Sequence, residues 1–167
     1  MTTATGTMVA TQVYRVFIRA TPQAIWDAIT RPEWSERYGY GGRVDYQLKK
    51  GGTYRHRATK EMCEMGAPEI MVDGEVIEAD PPRKLVQTWR PLWDPAQVAE
   101  GGKRLTWEIV EAGPGVCALT VTHELEGAPK TAAQVAGNTD ITSGGGGWSW
   151  VLSDLKTLLE SGKGMQG

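Results

Sequence analysis

The chain contains two histidines, His56 and His123. Imidazole is the one side chain whose unperturbed charge change falls near neutral pH, so these residues are the natural starting point for any chemistry. Each shares its parity with apolar neighbours, Tyr54 and Ala58 for the first, Val121 and Leu125 for the second. Both are therefore expected to face an interior space, where paired imidazoles can serve acid–base chemistry or hold an anion. The plainer alternative is two wall histidines, each hydrogen-bonded to a neighbour. Two imidazoles without a nearby Cys or a cluster of Asp and Glu fall short of the three or four ligands a metal needs, so no metal site is expected.

Other reactive types are less well placed. Glu108 and Glu124 alternate with apolar residues and belong on a solvated face. Glu75 and Glu78 have opposite parity, so at least one points outward unless a bulge at Gly74 intervenes. Cys63 and Cys117 are too far apart for a zinc pattern and too few for a disulfide framework. Reduced thiols in a cytoplasmic protein are the expectation, with Cys117 a small apolar filler rather than a nucleophile. No Ser–His–Asp or Cys–His arrangement follows from the spacing, and catalytic residues stay unassigned. The run Gly144-Gly145-Gly146-Gly147 lacks the Lys-Ser/Thr of a phosphate loop. It suits a turn that lets the chain approach the sheet closely on its way into a helix, or a mobile gate to a cavity.

These groups must be positioned by a recognisable order of elements. Val13 to Arg19 is rich in β-branched and aromatic residues and predicts a first strand. Thr21 is a natural N-cap and Pro22 suits the first helical position, so a short helix follows, broken at Pro32 and resumed for a turn or two. Val44, Tyr46 and Leu48 alternate with polar residues, Gly51-Gly52 is a hairpin signal, and Thr53 to Ala58 returns. Thr59 to Glu69 reads as a loop. Ile70 to Ala79 and Leu85 to Arg90 are strands about the turn Asp80-Pro81-Pro82-Arg83. Pro91 to Gly102 is a loop carrying Trp93, and Lys103 to Glu111 and Val116 to Leu125 form another hairpin. Glu126 to Ser143 has no strong period and is expected to be extended or partly helical. Trp148 to Ser161 carries Leu152, Leu155, Leu158 and Leu159 on one helical face and stops at Gly162. Hairpin links imply an antiparallel sheet, and the one long amphipathic helix has one sheet to bury itself against. The expectation is an α+β domain, residues 11–162, with flexible tails at 1–10 and 163–167. In it a curved antiparallel sheet of about six to seven strands wraps a long C-terminal helix, with two short helices after the first strand.

Four stretches now carry a resemblance. Ile18 to Thr30, Gly74 to Trp89, Leu119 to His123, and Gly147-Trp148 are similar, in the same order, to proteins of the START-like (SRPBCC) superfamily. More narrowly they resemble the group named after the activator of the heat-shock-protein-90 ATPase. The likeness runs from about Thr11 to Ser161. It implies the helix-grip fold and a cavity between sheet and helix. Superfamily members include lipid carriers, hormone receptors and polyketide cyclases, so the resemblance does not choose an activity. The eukaryotic activator docks on its chaperone through a separate N-terminal domain, which the ten or so residues before the first strand cannot supply, so chaperone activation is not expected.

Composition narrows the partners. A formal net charge of −2 disfavours nucleic acid and anionic membranes, and no apolar run is long enough to cross a bilayer. Seven Trp and five Tyr against a single Phe suit a cavity lined by rings with polar handles. The leading expectation is a binding protein for a small apolar or aromatic molecule, with no cofactor. The candidate lining is Trp34, Tyr38, Tyr46, Tyr54, His56, Met71, Trp89, Trp107, His123, Trp148 and Val151. The alternatives are a cyclase-, dehydratase- or hydrolase-like enzyme using a cavity His, and an interaction protein of co-chaperone type. A homodimer through an edge strand or the Trp93 loop is compatible with the pattern.

Overall fold

The computed structural model describes residues 10–166. Seven strands form one antiparallel sheet in the order β1-β7-β6-β5-β4-β3-β2. They are β1 Thr11–Ile18, β2 Arg43–Tyr46, β3 Thr53–Arg57, β4 Ile70–Asp80, β5 Lys84–Pro91, β6 Lys103–Gly113 and β7 Val116–Glu124. Because β1 and β2 lie at opposite edges, the chain between them must cross the whole concave face. Helices α1 (Pro22–Thr30) and α2 (Pro32–Ser35) make that crossing. The Thr21 hydroxyl caps α1 by accepting from Ala24 N at 3.1 Å, and Pro22 opens the helix. Ile25, Trp26 and Ile29 then turn inward and are buried.

The long helix α6 (Gly147–Ser161) closes the rest. Leu152, Leu155 and Leu158 are buried on the predicted stripe, and Leu159 is half-buried beside them. The C-terminal half is moored to β1: the Lys156 ammonium donates to Phe17 O at 2.8 Å, and the Glu160 carboxylate accepts from Arg19 N at 2.8 Å. Asp154, buried on the same helix, accepts from Gly39 N at 2.8 Å and Met165 N at 2.6 Å. A buried carboxylate is tolerable because backbone donors replace its water. The contact also holds the segment after Gly162, expected to be flexible, against the helix. The other predicted tail, residues 1–10, lies outside the described residues except for Ala10.

Three local expectations are corrected. Leu48 lies beyond the end of β2 and is exposed, because the turn through Gly52 begins at Gln47. The bulge in β4 falls between Val76 and Glu78, not at Gly74. That extra residue turns the parity, so Glu75 and Glu78 are both exposed. Gly74 has a different role: a Cβ there would strike the Thr88 carbonyl, so its bareness allows β4 and β5 to close up. Two stretches read as loops each hold a short helix, α3 Lys60–Glu64 and α4 Pro95–Glu100, while the stretch expected to be partly helical holds a third, α5 Pro129–Val135. Thr59 and Asp94 cap the first two. The Glu100 carboxylate caps the third from a distance, accepting from Lys130 N and Thr131 N at 2.8 and 2.9 Å. Such a cap comes from another element and has no local sequence signature.

Leu155 is fully buried between α6 and the sheet. Leu155→Ala is expected to cost about 2–5 kcal/mol of unfolding free energy in a urea titration. A loss below about 1 kcal/mol would show that α6 does not seal the core as described.

Candidate functional site

Between the β2–β5 part of the concave face and the start of α6 lies a cavity of about 350 Å³. Sheet residues Tyr46, Tyr54, His56, Met71, Trp89 and Trp107 line it, and Tyr38, Trp148 and Val151 come from the opposite side. All of these are among the residues expected to line a cavity. Trp34 and His123 are placed elsewhere. Trp34 is half-buried on α2, with the Arg37 guanidinium 4.8 Å above its ring. His123 is fully buried behind the wall, edge-to-face with Trp89 at 5.3 Å between ring centres. Among the lining residues not anticipated are Tyr40, Met62, Trp93, Gln134 and Val135. They belong to segments read as loops, where no period points to a buried face; an aromatic stranded in such a segment, as Trp93 is, was the available signal.

The wall is a contiguous aromatic cluster. Trp148 sits 5.8 Å from Trp89 and 5.5 Å from Trp107, and Trp93 lies 6.1 Å from Trp89. Tyr46 and Tyr54 are 4.6 Å apart. Edge-to-face and tilted arrangements at these spacings are individually favourable. Trp148 also donates its indole N–H to His123 Nδ1 at 3.1 Å. Since indole nitrogen can only donate, His123 Nδ1 must accept and its single proton must sit on Nε2. That Nε2 is the one buried side-chain polar atom without a partner among the described residues. Burial therefore keeps the ring neutral, pulling its pKa down to about 3.

The polar groups facing the cavity are neutral as well. Burial raises the pKa of Tyr38, with a further push from the Asp154 charge, and burial followed by the neighbouring phenols raises that of Tyr46. Tyr54 is raised by burial and then by Tyr38. Burial lowers His56, only partly offset by its bond to Gly41 O. Arg57 touches the cavity rim, but its guanidinium is held by Asp45 at 2.7 Å and Glu69 at 3.4 Å. No carboxylate is among the lining residues. Nor do the described residues bring together three or more His, Cys, Asp and Glu side chains as metal ligands. Cys117 is buried and donates to Ala20 O at 3.3 Å, while Cys63 is exposed on α3.

The glycine run closes one side. Gly147 has φ +62°, and a Cβ there would strike the Val135 carbonyl at the end of α5. A side chain at Gly145 would meet Thr139 and Asp140. The close approach expected of these glycines is thus made to α5 and its following turn, not to the sheet. Tyr40 pins the strap from outside: its hydroxyl accepts from Gly147 N at 3.1 Å and its ring stacks on Trp150 at 6.5 Å. What this site can do is enclose a small, largely apolar molecule among rings and address it with a few uncharged polar atoms.

Because His123 and His56 both titrate below the usual range, the unfolded chain takes up their protons first. Stability is complete above about pH 6.5 and falls as pH drops below it, toward about 3 for His123. Between pH 6.5 and 5 His123 contributes a slope approaching about 1.4 kcal/mol per pH unit, and His56 adds to it with the same sign. Urea midpoints across that window should show this, and His123→Gln, whose amide oxygen can still accept from Trp148, should make the slope clearly shallower. An unchanged slope in the variant would place the proton uptake elsewhere.

Residues 19–160 match the family described as activator of Hsp90 ATPase homolog 1-like protein. No curated protein matches the sequence. Among solved structures, CalU16 from Micromonospora echinospora is 17% identical, with 90% of this chain and 76% of that one covered and a TM-score of 0.62. The Aha1 dimer from Colwellia psychrerythraea is 17% identical, with 92% and 98% covered and a TM-score of 0.65. DynU16, from the dynemicin biosynthetic locus, is 20% identical with a TM-score of 0.65; 93% of this chain aligns but spans only 49% of that one. At such identities the likeness is one of fold.

Proposed function

The chain belongs to the family of activator of Hsp90 ATPase homolog 1-like proteins, and we propose that it is a small-molecule binding protein. Its ligand is an apolar or aromatic molecule held between the sheet and the start of α6. The observation that carries this reading is the aromatic cavity of about 350 Å³ itself. That volume falls within the range of small-molecule sites, roughly 300–1,000 Å³. Tyr46, Tyr54, Trp89 and Trp107 on the sheet and Trp148 on α6 surround the space with rings that suit a flat ligand. No step of catalysis is part of the proposal: the phenols are held neutral and no carboxylate lines the space.

DynU16 lies in the dynemicin biosynthetic locus, and a place in biosynthesis agrees with a small-molecule ligand. The family's name comes from chaperone activation, and nothing in the cavity calls for it.

Four tryptophans line the site, so intrinsic fluorescence reports on it directly. Titration with naphthols, flavonoids and fatty acids should give a saturable change with at least one class, and native mass spectrometry should find the same complex. Val151 faces the cavity from α6. Val151→Trp should fill the space and weaken binding by tenfold or more, about 1.4 kcal/mol, while thermal melting shows a folded protein. Fluorescence unmoved across the panel, or binding unaffected by Val151→Trp, would remove the cavity as the site.

A further inference from the structure

We infer that the ligand gives a hydrogen bond to Nδ1 of His56, so that the favoured class is a neutral aromatic bearing a hydroxyl group. This rests on the binding reading above and follows from where the protons in the cavity must sit.

Several polar atoms of the lining can be assigned by a partner that admits only one role. Gly41 O is a carbonyl and can only accept, so His56 Nε2, 2.8 Å away, carries the proton of the neutral ring. His56 Nδ1 is then a bare lone pair. It has no hydrogen-bond partner among the described residues, and it is not one of their sealed polar atoms, so it is open to the space the residue lines. The ring cannot turn the other edge inward cheaply, because Nε2 and Cδ2 pack against the backbone at Gly42, where even a Cβ would be too close.

The phenols tell the same story. Ala28 O forces Tyr38 to donate, at 2.9 Å. Gln87 is fully buried and its side-chain oxygen accepts the Trp107 indole N–H at 3.3 Å. That donor-only partner fixes which end of the amide faces Tyr46, so the Tyr46 hydroxyl, 2.5 Å from the same oxygen, donates too. Tyr38 and Tyr46 therefore present lone pairs to the cavity, as His56 does. Tyr54 differs from these: no acceptor holds its hydroxyl among the described residues, so it has a proton to spare. His56, Tyr38 and Tyr46 thus offer acceptors beside the Tyr54 donor, a set that suits a ligand bringing a proton. Tyr54 and His56 stand two residues apart on β3, on one face, so one hydroxyl group lies within the span of both. It can give its proton to His56 and accept from Tyr54.

The test compares 2-naphthol, 2-methoxynaphthalene and naphthalene by fluorescence or calorimetric titration at pH 7.5. The ether keeps the ring and the acceptor oxygen and lacks only the donor. Naphthol is expected to bind about tenfold more tightly than the ether, the effect of one well-placed buried hydrogen bond. His56→Phe should bring that ratio close to one while the ether still binds. A second readout needs no variant: the ¹⁵N signal of His56 Nδ1 should move upfield when naphthol saturates the protein and stay in place with the ether. Ether and naphthol binding equally, or a ratio that survives His56→Phe, overturns the inference and leaves the binding reading standing. If none of the three binds while a flavonoid or fatty acid does, the inference is overturned and the binding reading stands; if nothing in that wider panel binds, both fall.

Discussion

A sheet of seven strands is wider than one helix can cover. Six spacings between neighbouring strands amount to roughly 29 Å, while a helix of 15 residues is about 22 Å long and about 10 Å across. With α6 moored along β1 at its C-terminal half, the far side of the concave face has no long helix to meet it. The crossing pair α1–α2 covers part of the remainder. The rest must be filled by side chains or left as space, and the chain does both. Large rings stand up from β2 to β6, and short helices packed around Trp93, Gln97 and Glu100 close the rim.

Rings rather than aliphatic chains do this work for a physical reason. A Leu or Val on a strand reaches a few ångströms and would leave the gap wet, whereas Trp and Tyr span it and still bring a polar atom that needs a partner. Each such atom imposes a donor or an acceptor on the next residue. Trp148 thereby fixes the tautomer of His123, Trp107 fixes the amide of Gln87, and Gln87 fixes Tyr46. The hydrogen-bonding character of the cavity is thus set by residues behind its wall. His123 bears the cost of this arrangement, since its remaining N–H is buried with no acceptor.

The fold was legible because its signals are local. Alternation placed Leu105, Trp107 and Ile109 inward, and Thr21-Pro22 announced α1 before any contact was known. The wall was legible for the same reason wherever it lies on a strand or on α6. Parity tells inward from outward but not how deep: His123 shares its face with Val121 and Leu125 and yet lies beneath the wall, not on it. The positions of α4 and α5 were not legible, because what orders them is the long-range set Glu100–Thr131 and Gln97–Gln134. Gln134 and Val135 enter the site through that packing, and Tyr40 through its contacts with Gly147 and Trp150. The β4 bulge escaped for another reason: nothing marks Val76 to Glu78 as irregular, whereas Gly74 looks irregular and is regularly paired.

The two sides of the cavity differ in how they could change over generations. On the sheet side the boundary is made of side-chain tips, and exchanging Met71 or Tyr46 would alter the enclosed shape without asking the backbone to move. On the strap side the boundary is main chain against main chain, and Gly137, Gly145 and Gly147 have no room for even a methyl group. Descendants of this chain could acquire new selectivity one residue at a time from the first side and hardly at all from the second. A combinatorial library meant to retune the protein should therefore spend its diversity on the strands and leave the glycines alone.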